Sequence, residues 1–354
     1  MTTIPVTVLT GFLGSGKTTL LNHLLSSPEL ADTAVLVNEF GEIGIDHLLV
    51  RHVSEDIVQL NSGCLCCTVR GDMVDSLRDL FLKRVKGEVP EFARVVIETT
   101  GLADPAPIIH TLMTDPLLSS RYRLDGIVST VDSVNGSRTL DNHMEAVKQA
   151  AVADRIVLTK TDLADAKATA LIRDRLSALN PAAPVVEAVN GELNPESILN
   201  AGLFNDRDKI PDVKKWMNAE AVAAHDHGHH DDHDHGHGHH HHHDVNRHDE
   251  RVQAFVFTRE QPVSWPGLAF ALELLIANRG ENLLRVKGVV NVAGSDKPLA
   301  IHGVQHVFHP PQPLPGWPDG DRTTRIVFIT RDLDRKVIAD MLGGVLGLAD
   351  EKGI

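Results

Sequence analysis

The chain has 354 residues, 42% of them apolar, and a formal net charge of −14. This composition supports packed cores and excludes a wholly disordered chain, while the acidic balance argues against nucleic acid as the main partner, because phosphate backbones are met by basic surfaces. No apolar run reaches the ~18 to 20 residues of a membrane helix, and the opening Met1-Thr2-Thr3-Ile4-Pro5-Val6 lacks a basic segment, so no membrane partner and no secretory signal are expected and the compartment is read as cytoplasmic.

At roughly 150 residues per domain the length predicts about two domains. The first two hundred residues alternate apolar strand runs with helical patterns. Ile4 to Leu9 reads as a buried strand, Ser15 to Leu25 as a helix, and Ala34 to Val37, Arg94 to Ile97, Gly126 to Val131 and Ile156 to Leu158 as further strands. Asp72 to Val85 and Ala166 to Leu179 are long enough for crossover helices. This alternation predicts an α/β fold, a mostly parallel sheet covered by helices on both faces. After a possible helix over Asp212 to Ala224, residues 225–243 hold 12 His, 4 Asp and 3 Gly with no apolar side chain. Nothing there offsets the entropy of ordering, so a flexible linker is expected.

A smaller α+β domain is predicted beyond the linker. Val252 to Thr258, Leu283 to Ala293, Ala300 to Phe308 and Arg325 to Thr330 read as strands, and Trp265 to Asn278 as a helix. Asp332 is placed as the cap of a last helix ending near Leu346. The expected divisions are residues 1–205, a linker over 206–250, and 251–354.

Gly11-Phe12-Leu13-Gly14-Ser15-Gly16-Lys17-Thr18 matches G-x-x-x-x-G-K-[ST], set between an apolar strand and a helix. Glycines let backbone N–H groups turn inward around phosphate oxygens, and the helix start adds the positive end of its dipole. Lys17 is expected to reach the β- and γ-phosphates and the Thr18 hydroxyl to ligate Mg²⁺, with Thr19 following in the nucleotide-binding run. Glu98, closing the strand Val95-Val96-Ile97, stands where a Walker B carboxylate acts on Mg²⁺ or its water shell; a solvent-facing strand end is the plainer alternative. Thr159-Lys160-Thr161-Asp162 follows another strand. A carboxylate at Asp162 can accept from the N1–H and 2-amino group of guanine, and the Lys160 stem can lie along the base. The usual GTPase pattern has Asn where this chain has Thr159, and a helix cap by Asp162 is the plainer alternative.

The three cysteines, Cys64, Cys66 and Cys67, fall within four residues, an arrangement that is no disulfide framework. If the backbone turns, as Gly63 permits, thiolates at this spacing can converge on one borderline cation. Three sulfurs would leave a coordination position open, which suits transfer; three inert thiols are the alternative. The histidine tract offers overlapping weak sites for Zn²⁺, Ni²⁺ or Co²⁺.

Together, G-F-L-G-S-G-K-T, V-N-E-F-G at Val37 to Gly41, G-C-L-C-C at Gly63 to Cys67, E-T-T-G-L-A-D-P at Glu98 to Pro105, and T-K-T-D resemble the CobW family of metallochaperone GTPases. Arg285-Val286-Lys287-Gly288 and Gly303-Val304-Gln305-His306 resemble that family's C-terminal domain. The resemblance implies that Gly11, Gly14, Ser15, Gly16, Lys17, Thr18 and Thr19 hold GTP phosphates and Mg²⁺, that Thr159, Lys160 and Asp162 hold guanine, and that the cysteines form an internal metal site. It places Glu39 in a first switch region, able to sense Mg²⁺ or assist the metal, and Glu42 more weakly beside it. His302, His306 and His309 are read as core or surface histidines sooner than as ligands.

The function expected is a GTP-hydrolysing metal carrier with slow intrinsic turnover, Lys17, Thr18 and Glu98 serving catalysis, and delivery of Zn²⁺ to a client protein. Cobalt delivery for cobalamin synthesis and a histidine-rich metal buffer are the alternatives, with Ni²⁺ a further candidate cargo. A small-molecule P-loop kinase is disfavoured because it leaves the cysteines idle. Self-assembly is left open.

Overall fold

The computed structural model describes residues 3–37, 50–54, 57–60, 65–68, 73–199, 251–317 and 320–347. The chain divides into two compact units, each built round its own sheet.

The first sheet contains β1 (Ile4–Gly11), β2 (Thr33–Val37), β3 (Val50–Ser54), β4 (Ile57–Leu60), β5 (Leu65–Thr68), β6 (Arg94–Glu98), β7 (Tyr122–Asp132), β8 (Arg155–Thr159) and β9 (Val185–Ala188). Its order is β3-β4-β5-β2-β6-β1-β7-β8-β9. The run from β5 to β9 is parallel throughout, and β3-β4-β5 is an antiparallel meander at one edge. The expected parallel sheet is therefore present, with this meander as an addition whose strands of four or five residues carry weak periodicity. Between the strands run α1 (Lys17–Leu25), α2 (Met73–Lys86), α3 (Ala106–Thr114), α4 (Pro116–Arg121), α5 (Gly136–Asn142), α6 (Met144–Val152) and α7 (Ala166–Leu179).

Central strands of a parallel sheet are covered on both faces and so read as continuous apolar runs. β1 fits: Val6, Val8 and Leu9 are buried, although successive residues face opposite sides. Leu20, Leu21, Leu24 and Leu25 of α1 pack with Leu9, Val35, Val96, Val128 and Val157 in one cluster. Each such leucine contributes about 1.5–3 kcal/mol by leaving water. This packing holds the N-terminus of α1 over the carboxyl ends of the strands.

The second sheet contains β10 (Val252–Arg259), β11 (Leu283–Val290), β12 (Leu299–Val304), β13 (Val307–Phe308), β14 (Gln312–Pro313) and β15 (Thr324–Arg331). Its order is β10-β15-β11-β12-β13, with β14 beside β12, and every pairing is antiparallel. α8 (Trp265–Arg279) and α9 (Arg335–Leu346) contribute Leu268, Leu272, Leu275, Ile338 and Leu342 to a core with Phe255, Val286, Ile326 and Phe328.

Three sequence expectations change here. The strand over 300–308 is a hairpin, β12 to β13, turning at Gln305 with φ 50°. The strand starting at Leu283 ends at Val290, and Val292 instead forms a parallel bridge to Val263. The cap of α9 is Asp334, whose carboxylate accepts from the Lys336 amide; Asp332 sits at φ 51° and takes both ends of the Arg251 guanidinium at 2.7 and 2.8 Å. Local spacing permits either acid as a cap, and the Arg251 partner across the sheet decides between them. The proposed helix over 212–224 and the histidine tract lie outside the described residues.

Candidate nucleotide site

β1, β6, β7 and β8 end at Gly11, Glu98, Asp132 and Thr159, neighbouring strands terminating on one edge of the sheet. Ligands of open α/β sheets bind outside this edge. The segment between β1 and α1 closes into a loop by the Ser15 amide donating to Phe12 O at 3.1 Å. Gly16, the residue before α1, holds φ 90°, and a Cβ there would come 3.3 Å from the Thr159 side chain. Gly11 holds φ 141°, and a Cβ there would overlap Thr130 Oγ1. Gly14 is left-handed too, at φ 71°.

Side chains brace this loop from neighbouring strands. Ser15 Oγ lies 2.6 Å from Thr130 Oγ1. The Thr159 hydroxyl donates to Ser15 O at 2.7 Å. Lys17 is buried, and its ammonium donates inside the loop to Gly11 O at 2.9 Å and Phe12 O at 3.1 Å. Those contacts keep the side-chain nitrogen inside the loop. Thr18 and Thr19 are exposed on the first turn of α1. The Thr18 hydroxyl donates to Glu98 Oε1 at 3.2 Å, and Glu98 is 1% exposed. A solvent-facing strand-end acid is therefore not what this residue is.

The Thr159-Lys160-Thr161-Asp162 loop leaves β8. Lys160 adopts φ 57° and donates to Gly14 O at 2.7 Å and Asp132 Oδ2 at 2.8 Å. Burial works to raise the Asp132 pKa, but hydrogen bonds from Lys160, Asn135 and the Val134 amide outweigh it and hold the carboxyl below its ordinary value. Asp162 is exposed, beside a cavity of about 520 Å³ that Thr161, Thr169 and Arg173 also line. Asp165 supplies the carboxylate at the start of α7, accepting from the Ala168 amide at 2.7 Å, which removes the helix-cap reading of Asp162.

The loop over residues 99–105 is held from two sides. The Thr99 amide donates to Leu9 O at 2.9 Å and its hydroxyl to Thr10 Oγ1 at 2.9 Å. Gly101 lies so close that a Cβ would stand 2.7 Å from the Leu13 amide nitrogen. From α6, Gln149 donates to Gly101 O at 3.2 Å and Ala103 O at 2.9 Å, and Lys148 meets Asp104 at 3.1 Å. Sequence reasoning missed Asp132, Thr130, Lys148 and Gln149. Asp132 had a signal, an acid closing an apolar run. Gln149 had none, because nothing local marks a helix residue as the partner of a loop some fifty positions earlier.

Of the metal candidates, Cys66 and Cys67 occupy consecutive positions in β5, registered to Val35 and Leu36 on one side and to Val58 and Ile57 on the other. Cys64, Glu39 and Glu42 lie outside the described residues. Among the described residues, no three His, Cys, Asp or Glu side chains are gathered as for a metal. His302 and His309 are buried with rings stacked at 4.6 Å, while His306 is exposed elsewhere, so the three histidines share no site. No helix among the described residues is long and apolar enough to cross a membrane.

Comparison with known families agrees with this arrangement. Residues 5–187 match the model of the CobW/HypB/UreG nucleotide-binding domain, and residues 252–346 match the cobalamin synthesis protein cobW C-terminal domain. This chain belongs to the CobW family. It is 32% identical to the zinc chaperone YjiA of Escherichia coli across 98% of this chain and 99% of that one. Identity to the zinc chaperone CobW of Pseudomonas aeruginosa is 33%, across 96% of this chain and 90% of that protein. The crystal structure of Zn(II)-bound YjiA GTPase superposes with a TM-score of 0.73 at 30% identity, across 98% of this chain and 99% of that one.

Proposed function

We propose that this protein is a GTP-hydrolysing zinc chaperone, which binds Zn²⁺ at its cysteine cluster and passes it to a client protein in a nucleotide-dependent step. The observation that carries the reading is the convergence at one sheet edge of the Lys17 loop, the Thr18–Glu98 pair and the Lys160 loop. Zinc is preferred over cobalt and nickel because the family relatives similar over nearly the whole chain are named zinc chaperones.

In this reading Gly11, Gly14, Ser15, Gly16, Lys17, Thr18 and Thr19 bind the phosphates. The donor set fits Mg²⁺: a hydroxyl and a buried carboxylate, oxygen ligands or water acceptors of the kind that cation takes. Bound there, Mg²⁺ supplies positive charge against the β- and γ-phosphates. Lys17 exchanges its two carbonyl contacts for phosphate oxygens and stabilises the charge that develops during transfer. Glu98 holds Thr18 and would act on Mg²⁺ or its water shell. Lys160 supports the base face, and Asp162 reads guanine. Thr159 replaces the amide of the usual pattern, so its contribution is the hydroxyl tie to Ser15 O.

Cys64, Cys66 and Cys67, with Glu39 or Glu42 in support, hold the cargo; the histidine tract supplies further, weaker metal sites. Residues 1–205 serve as the GTPase domain, 206–250 as linker and 251–354 as the C-terminal domain. We place the protein in the cytoplasm, where clustered thiols stay reduced. The test is linkage. Zn²⁺ affinity measured with GTP and with GDP differs by some factor, and Zn²⁺ changes the GTP:GDP affinity ratio by that same factor. Equal Zn²⁺ affinity in both states makes the protein a buffer, and equal affinity for GTP and ATP removes the guanine assignment.

A further inference from the structure

Asp132 is the buried acid at the nucleotide edge to which the phosphate and metal roles assign nothing. It ends β7, in register with Thr159, the residue before Lys160. Its Oδ1 accepts from the Val134 amide at 2.7 Å and the Asn135 amide at 3.2 Å, and its Oδ2 accepts from Asn135 Nδ2 at 3.1 Å. Four donors from three residues fix the carboxylate, the last being Lys160 Nζ at 2.8 Å. The strand end is fixed as well, since Ser133 donates to Thr159 O through its amide at 2.9 Å and its hydroxyl at 2.7 Å.

Lysine has a flexible four-carbon stem whose ordering costs entropy. Here both ends of that stem are set, the backbone in the left-handed region and the ammonium between Asp132 and Gly14 O. The methylenes between them form a fixed apolar strip on the phosphate-loop side of the Thr161-Asp162 segment.

Resting on the GTPase reading above, we propose that Asp132 is the positioning residue for base recognition: it fixes the Lys160 stem as a platform that sets the plane in which guanine meets Asp162. Asp132 touches neither base nor phosphate. Its effect falls on the base half of the nucleotide, because Ser15 and Lys17 are held by other contacts and the Lys160 bond to Gly14 O does not need the Asp132 charge. A charge-assisted bond of this kind is stronger than a neutral one, and ordering done before binding is not charged to the ligand.

The experiment uses the full chain. Affinities for GDP, ADP and inorganic pyrophosphate are measured for the unsubstituted protein, Asp132→Asn, Lys160→Met and the double variant, with thermal unfolding of each. Asparagine keeps an oxygen for the two amides, and methionine keeps the stem while leaving Asp132 and its turn untouched. Expected for Asp132→Asn is a loss of about tenfold in GDP affinity, a smaller loss for ADP, and pyrophosphate binding unchanged; Lys160→Met, which also gives up Gly14 O, loses at least as much GDP affinity. The double variant loses no more than Lys160→Met alone, because Asp132 acts through Lys160. GDP affinity unchanged in Asp132→Asn, equal losses for GDP and pyrophosphate, or additive losses in the double variant would each overturn the proposal. If the unsubstituted chain does not distinguish GDP from ADP, the guanine reading fails and this inference falls with it; a failure confined to the variants leaves that reading standing.

Discussion

Thr18 and Glu98 stand eighty positions apart in the chain, yet the hydroxyl of one donates to the carboxylate of the other at 3.2 Å. One lies in the first turn of α1 and the other ends β6, and β1, to which α1 is joined, pairs with β6 from Val6 through Leu9. Parallel register therefore brings the residue after the loop to the residue at the strand end. Glu98→Gln keeps the shape and hydrogen-bonding capacity while removing the charge. Hydrolysis in the presence of Mg²⁺ is expected to fall by about 100-fold or more, with GDP affinity in EDTA unchanged. Single-turnover rates and nucleotide titrations with and without Mg²⁺ check both halves.

Lys17→Ala removes the buried ammonium from within the loop. Hydrolysis should be abolished and GTP affinity weakened, while the circular dichroism and unfolding midpoint stay close to those of the unsubstituted chain. Turnover at the original rate in a single-cycle assay would show that the loop is not the phosphate site.

Gln149 ties α6 to the loop behind Glu98 through two backbone carbonyls. Gln149→Met is close in volume but leaves both carbonyls without that donor. Each buried acceptor left unmet costs about 1–3 kcal/mol. The loop also presses on Leu13 through Gly101, so loosening it should slow hydrolysis by about tenfold while GDP affinity holds. Unfolding curves and a comparison of hydrolysis rate with GDP affinity separate the loop effect from general damage.

A deletion and a triple replacement separate the proposed metal sites. Deleting residues 225–243 should lower total Zn²⁺ bound and leave GTP hydrolysis and one tight site intact. In that background, replacing Cys64, Cys66 and Cys67 by Ser should abolish the tight site and its dependence on nucleotide. Thiols lose protons on binding zinc, so affinity in the unsubstituted cluster should weaken as pH falls. A competition titration in the GTP and GDP states is the measurement. A tight, nucleotide-sensitive site surviving the triple replacement would make the cysteines structural.

The sequence by itself determined whatever depends on neighbours along the chain. The glycine-rich loop between β1 and α1 was legible because its glycines, Lys17 and Thr18 are contiguous in the chain, and the strands flanking it because burial on both faces leaves unbroken apolar runs. The cysteine cluster and histidine tract were legible as composition. Only the tertiary structure decided which distant groups meet. Asp334, not Asp332, caps α9 because Arg251 approaches across the β10–β15 edge. Asp165, just before α7, and not Asp162, accepts from the first-turn amide of that helix. Asp132 reaches Lys160, and Gln149 reaches Gly101 and Ala103, because parallel crossovers bring together residues dozens of positions apart. Periodicity reports which face of an element is buried; it carries no information on which strand lies beside it, and that adjacency is what assembled this site.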